Sequence, residues 1–105
     1  MLESVFQSQI IQELKIIFPG CIVLKNDANY IQGFPDLLVL WQNKWAALEC
    51  KANNKSTFRP NQKYWINQLN SMSYASSITP ETREEVLNEL QQAFKSRRST
   101  CVSKR

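Results

Sequence analysis

The segment that most limits what this chain can fold into runs from Gly33 to Lys51. It reads Gly33-Phe34-Pro35-Asp36-Leu37-Leu38-Val39-Leu40-Trp41, then Gln42-Asn43, then Lys44-Trp45-Ala46-Ala47-Leu48-Glu49-Cys50-Lys51. Both halves are apolar, β-prone runs with charge confined to their ends, and the two-residue polar break predicts a tight hairpin. Side chains alternate faces along a strand. Asp36 therefore shares a face with Leu38 and Leu40, and Glu49 shares one with Ala47 and Lys51. Pairing Trp41 with Lys44 sets Leu40 opposite Trp45, Leu38 opposite Ala47 and Asp36 opposite Glu49. Two carboxylates then meet at the open end of the hairpin, with an ammonium two residues further on. Like charges placed directly opposite destabilise a sheet, so the pair implies a cation held between them.

That constellation has a chemical use. Converging carboxylates suit Mg²⁺, a hard cation that prefers oxygen ligands and completes its shell with water and substrate phosphate. A neighbouring lysine can orient or help deprotonate the water that attacks phosphorus. Pro35-Asp36, thirteen residues, and then Glu49-Cys50-Lys51 resemble, position by position, the motif of the PD-(D/E)xK nuclease superfamily. Glu-x-Lys alone is a weak signal. Gly-x-Pro-Asp opening one strand and apolar-Glu-x-Lys closing the next is a more specific one.

Several classes of chemistry are excluded by what the chain lacks. It contains no histidine, which rules out Ser-His-Asp and Cys-His catalysis, histidine-based zinc sites and histidine general bases. Its three cysteines are odd in number and lack metal-site spacing, so they read as reduced thiols inside a cell. Cys50 alternates away from Glu49 and Lys51 and reads as a small buried hydrophobe. No apolar run is long enough to span a membrane, and the first residues do not read as a signal peptide. At 105 residues the expectation is one domain with a single core.

Taken in order, Leu2, Val5, Phe6, Ile10, Leu14, Ile17 and Phe18 recur at helical spacing, predicting a helix over 2–18 that Pro19-Gly20 ends. Glu3 at its amino end suits the helix dipole. A first strand is expected over 21–26, with Lys25 either contacting phosphate or ending an exposed edge. Gly33 implies close approach by metal, substrate or another backbone segment. A second helix is expected to follow a polar loop, with Thr57 as its cap and Pro60 in its first turn. Gln62 lies on that helix's apolar side with Trp65, Ile66 and Leu69, so it requires a buried hydrogen-bond partner. Arg59 and Lys63 flank it as phosphate contacts. Residues 72–78 predict a fourth strand, and Thr79-Pro80 opens a third helix with Val86, Leu87, Leu90 and Phe94 on its apolar face.

The net charge is +4, and five of the thirteen basic residues (Lys95, Arg97, Arg98, Lys104 and Arg105) fall in the last eleven positions with no acid among them. A nuclease domain over 1–95 and a flexible basic tail over 96–105 that binds phosphate is the expected division, with Arg97 and Arg98 as DNA contacts.

The order α-β-β-β-α-β-α resembles the restriction-endonuclease-like α/β core with a mixed sheet over nearly the whole chain. The compact form is similar to stand-alone virus-type replication-repair (VRR-NUC) nucleases and to phage or archaeal Holliday-junction resolvases. This resemblance implies Mg²⁺-dependent hydrolysis of DNA, with Mn²⁺ able to substitute, by a homodimer acting on branched DNA within the cytoplasm of a host cell. It implies Asp36 and Glu49 as metal ligands, helped by the Cys50 backbone carbonyl and by Glu3 on the first helix. Lys51 would position the attacking water, and Gln62 would orient Lys51 or the scissile phosphate. Tyr30 and Gln32 stand where resolvases often carry small hydroxyl residues, a departure that bears on junction specificity more than on hydrolysis. A restriction-type or DNA-degrading nuclease, a non-catalytic DNA-binding module and an interaction protein reusing the fold stay open as alternatives.

Overall fold

A computed structural model describes residues 2–27, 30–53, 58 and 60–96. The elements are α1 (Glu3–Ile17), β1 (Ile22–Lys25), β2 (Leu37–Trp41), β3 (Lys44–Cys50), α2 (Gln62–Met72), β4 (Tyr74–Ile78) and α3 (Arg83–Ser96). One sheet of order β1-β2-β3-β4 carries them. The first three strands are antiparallel, and β4 pairs with β3 in parallel after the α2 crossover. The sheet is therefore mixed, as the resemblance implied. Among the described residues, no helix is long and apolar enough to cross a membrane.

The hairpin register is the predicted one: Trp41 faces Lys44, Leu40 faces Trp45 and Leu38 faces Ala47. Alternation then sends the two faces to different cores. Leu37, Val39, Ala46, Leu48 and Cys50 pack with Phe6, Ile10 and Leu14 of α1 and Val86, Leu87, Leu90 and Phe94 of α3. Leu38, Trp45, Ala47 and Ala75 pack with Phe34, Ile66 and Leu69, so α2 covers the other face. Asp36 and Glu49 belong by alternation to that second face.

Some boundaries differ from expectation. On α1 the buried stripe is Phe6, Ile10 and Leu14, one residue per turn, whereas Val5 is exposed because it lies off that stripe and Leu2 because it stands outside the helix as its extended N-cap residue. Pro60 precedes α2 instead of entering its first turn, because Asn61 adopts a left-handed conformation (φ 72°) that a helix cannot contain. The expected Thr57 cap lies outside the described residues. Thr79 and Pro80 form a turn ahead of α3, in which the Thr79 and Thr82 hydroxyls each accept the other residue's backbone N–H. The helix begins only at Arg83 because these reciprocal bonds satisfy the turn first. Lys95, counted with the basic run, lies in the last turn of α3.

Trp41 and Trp45 flank the turn but lie on opposite faces. Trp41 packs against Phe18 and Phe94 and donates its indole N–H to the Pro19 carbonyl at 3.0 Å. Trp45 joins the α2-side cluster. Both find cover within their own chain.

Gly33 does mark a close approach, and the approaching group is backbone. Its φ is +85°, and a Cβ added there would sit 2.6 Å from the Pro60 carbonyl oxygen and 2.8 Å from the Asn61 Cβ. The loop before β2 is thus pressed against the residues that open α2. Gly33→Ala is expected to destabilise the protein by about 3 kcal/mol, combining left-handed strain with a steric clash. Gly20→Ala has a similar φ of +88° but nothing within 4 Å, and should cost about 1 kcal/mol. Urea unfolding of the two variants side by side separates clash from strain.

Candidate active site

The β2–β3 ladder ends at Leu37–Leu48, and side chains take over its next rung. The Asp36 backbone N–H donates to Glu49 Oε1 at 3.2 Å, and the Cys50 backbone N–H donates to Asp36 Oδ1 at 3.1 Å. Each acid is thereby tied to the strand opposite. On the far side, Asn26 holds the loop in place: its side-chain amide donates to the Pro35 carbonyl at 2.7 Å and its backbone N–H to the Asp36 carbonyl at 2.9 Å.

A second network runs from Glu49 into α2. Gln62, the first residue of that helix, donates from Nε2 to Glu49 Oε2 at 2.9 Å and accepts from Lys51 Nζ on Oε1 at 2.7 Å. Lys51 Nζ is 3.8 Å from Glu49 Oε2. Glu49, Lys51 and Gln62 are all buried, so Gln62 has the buried partners its apolar surroundings demanded, and it locks the lysine and the glutamate to each other.

From the other side of the sheet, α1 brings its first turn to the same point. Carboxylate oxygens of Glu3, Asp36 and Glu49 lie within 4.8 Å of one another. Gln7, one turn after Glu3, donates to Asp36 Oδ2 at 3.0 Å. Gln7 is a site residue that sequence reasoning passed over, although its i, i+4 relation to Glu3 puts both on one helix face. Glu13, further along the helix, forms an ion pair with Arg83 at 2.8 Å.

The electrostatics follow from three acids at one point, with Glu49 buried, Asp36 half-buried and Glu3 exposed. Burial, and then the charge of Asp36, push the Glu49 carboxyl from an ordinary 4.5 up to about 7. Asp36 is also raised, chiefly by burial, against the opposing pull of its hydrogen bonds from Cys50 and Gln7. Burial, with the neighbouring acids adding to it, holds the Cys50 thiol protonated, and its side chain packs in the core on the opposite face. Only its backbone is suited to this site. The donor set fits a divalent cation: each engaged oxygen of Asp36 and Glu49 keeps a lone pair beyond its protein bond, and a cation would offset both the burial of these charges and the repulsion that adds to it.

The cation candidates fare differently. Lys25 is exposed at the end of β1 and pairs with Leu37, next to Asp36, so it stands at the site's end of the sheet. Lys63 is exposed on α2, its ammonium 5.7 Å from the centre of the Phe58 ring, while Lys51 Nζ lies 5.3 Å from the same ring. Arg59, Arg97 and Arg98 lie outside the described residues.

No protein-family model matches the sequence, and no curated protein matches it. A solved structure described as a VRR_NUC domain protein is similar in fold, with a TM-score of 0.65 over 90% of this chain and 89% of that one, at 18% sequence identity. The architecture is VRR_NUC-like.

Proposed function

We propose that the chain is a metal-dependent DNA endonuclease acting on branched DNA. The observation that carries this reading is the convergence of Glu3, Asp36 and Glu49 within 4.8 Å, joined through Gln62 to a buried lysine. Asp36, Glu49 and the Cys50 carbonyl, with Glu3 as a further ligand, would hold Mg²⁺, or Mn²⁺ in its place. The ion would neutralise charge on the scissile phosphate and make the attacking water more acidic. The chain's own residues do the positioning. Lys51, fixed by Gln62, orients that water and stabilises the charge that develops on phosphorus oxygens. Gln7 and the Cys50 N–H keep the Asp36 carboxylate turned toward the site. The narrow point of convergence favours one phosphate at a time.

Branched DNA and a homodimer come from the resemblance to resolvases, where a twofold pair of sites would match a junction's pseudo-symmetry. Purified protein with Mg²⁺ on linear, flapped and four-way DNA tests both the activity and the preference. Equal cutting of all three would favour a DNA-degrading enzyme, and binding without cutting a non-catalytic module. Sedimentation at micromolar concentration tests the dimer.

The basic terminus should act on affinity alone. Deleting residues 97–105 removes Arg97, Arg98, Lys104 and Arg105. Without them DNA binding is expected to weaken, and its salt dependence to flatten by up to about 0.9 log unit for each phosphate no longer neutralised. Single-turnover cleavage at saturating enzyme should stay unchanged. A lower saturated rate with intact affinity would instead assign these residues to the reacting centre.

A further inference from the structure

Beside the acidic site lies a cavity of about 390 Å³ between α2 and the free edge of β4, with Phe58, Lys63, Ile66, Asn67, Ser76 and Ser77 among its walls. β4 is an outer strand of the sheet, so the cavity is bounded by a helix face on one side and a strand edge on the other. Lys63, Ile66 and Asn67 follow helical spacing and share the α2 face that borders it. Across the β3–β4 pair, Ser77 is the register partner of Glu49. Phe58 is the wall shared with the reacting groups, since Lys51 Nζ lies 5.3 Å from its ring and Lys63 Nζ 5.7 Å. Phe58 is itself 37% exposed, although a large aromatic side chain is ordinarily taken into the core.

These walls match the parts of one nucleotide. The Phe58 ring and Ile66 offer an aromatic and an aliphatic surface to a base. The Asn67 amide and the Ser77 hydroxyl offer donors and acceptors to its edge. Lys63 offers a charge to its phosphate. A volume of about 390 Å³ lies in the range of small-ligand pockets. A base held in a duplex would have to unstack at a cost of a few kcal/mol before it could enter.

We propose that this cavity receives one unpaired nucleotide of the substrate DNA, packed on Phe58, next to the phosphate presented to Lys51. The inference rests on the nuclease reading and deepens it. Recognition of an unpaired nucleotide gives preference for flapped or branched DNA over duplex without any reader of sequence. Stacking on an aromatic ring is tolerant of base identity because every base has a π face. Lys63 then exchanges the Phe58 ring for the nucleotide's phosphate.

The test measures affinity in excess chelator for two DNAs, a fully paired duplex and the same duplex carrying an unpaired arm. The wild-type full chain should bind the armed DNA more tightly. Phe58→Ala should lower affinity for the armed DNA about tenfold, the effect expected for one stacked base, and leave duplex binding unchanged. Phe58→Trp should retain the preference, and Asn67→Ala should weaken it less than Phe58→Ala does. Thermal unfolding of each variant checks that the fold persists, and Phe58→Trp keeps the ring where truncation would disturb the loop. If Phe58→Ala lowers both affinities equally, or neither, while the wild type still cuts DNA with Mg²⁺, the nucleotide pocket is refuted and the nuclease reading stands. If the wild type neither binds nor cuts DNA, both fall.

Discussion

Asp36→Asn, Glu49→Gln and Lys51→Ala are each expected to lower Mg²⁺-supported DNA cleavage by at least about 10²-fold, with the fold retained. Each substitution removes a charge placed where the reaction develops its own. Asp36→Asn keeps an oxygen to accept the Cys50 N–H but puts an amide donor where Asp36 Oδ2 accepts from Gln7. Lys51→Ala leaves Gln62 Oε1 without the ammonium it accepts from at 2.7 Å. Gln62→Ala should cost less, about tenfold, because it acts through its bonds to Lys51 and Glu49. Mn²⁺ should replace Mg²⁺, whereas Ca²⁺ should suppress cleavage, since it takes a larger and looser oxygen shell. Single-turnover cleavage with each variant and each ion measures all of this. Full activity in excess chelator would remove the metal from the reading altogether.

Without metal, the protein should lose stability as the pH rises through neutrality. Glu49 has a folded-state pKa of about 7 against an ordinary 4.5. A carboxyl raised in this way binds its proton more tightly when folded. Its contribution is fully present below about pH 4.5 and is lost as the pH climbs through 7. The difference is worth about 3 kcal/mol, on the order of 10 °C in melting temperature for a chain of this size. The shift of Asp36 is also upward and has the same sign. Glu49→Gln removes this titration. At about pH 8 in chelator it should melt above the wild type, less about 1 kcal/mol for a hydrogen bond its amide cannot reproduce, since both Asp36 N–H and Gln62 Nε2 donate to Glu49. Added Mg²⁺ should restore the wild type and leave Glu49→Gln nearly unchanged. Melting curves of both proteins across about pH 5 to 8, with and without Mg²⁺, give the comparison. A wild-type melting temperature that holds level or rises over that range in chelator would mean the acids are not crowded.

The hairpin and its register were legible because period-two alternation is a local property. Once Gln42 and Asn43 are taken as the turn, every partner from Trp41–Lys44 back to Leu38–Ala47 follows, and the observed ladder agrees. The opposition of Asp36 and Glu49 was legible for the same reason. The need for a partner at Gln62 could also be read, because an amide among Trp65, Ile66 and Leu69 must be satisfied. Less could be read near the starts of helices. Asn61 is left-handed because the Gly33 loop presses on Pro60 and Asn61, an approach between segments far apart in the chain that no local pattern records. The α3 start moved for a local reason that spacing alone does not weigh: the reciprocal Thr79–Thr82 bonds compete with the first helical turn.

By itself, then, the sequence determined the order of elements, the strand pairing of the hairpin, the two opposed acids with their lysine, and the exclusion of histidine chemistry. These depend on neighbours along the chain or on one turn between strands. Tertiary structure alone decided that Glu3 joins the two acids within 4.8 Å, that Gln7 holds Asp36, and that Gln62 ties Lys51 to Glu49. It also decided that the Phe58 ring lies near both Lys51 and Lys63 and lines a cavity. Those relations join α1, the hairpin, the following loop and α2, whose mutual placement is set by packing on the two faces of the sheet. Packing sums many weak, non-directional interactions across the whole chain, and no short stretch of residues carries that sum.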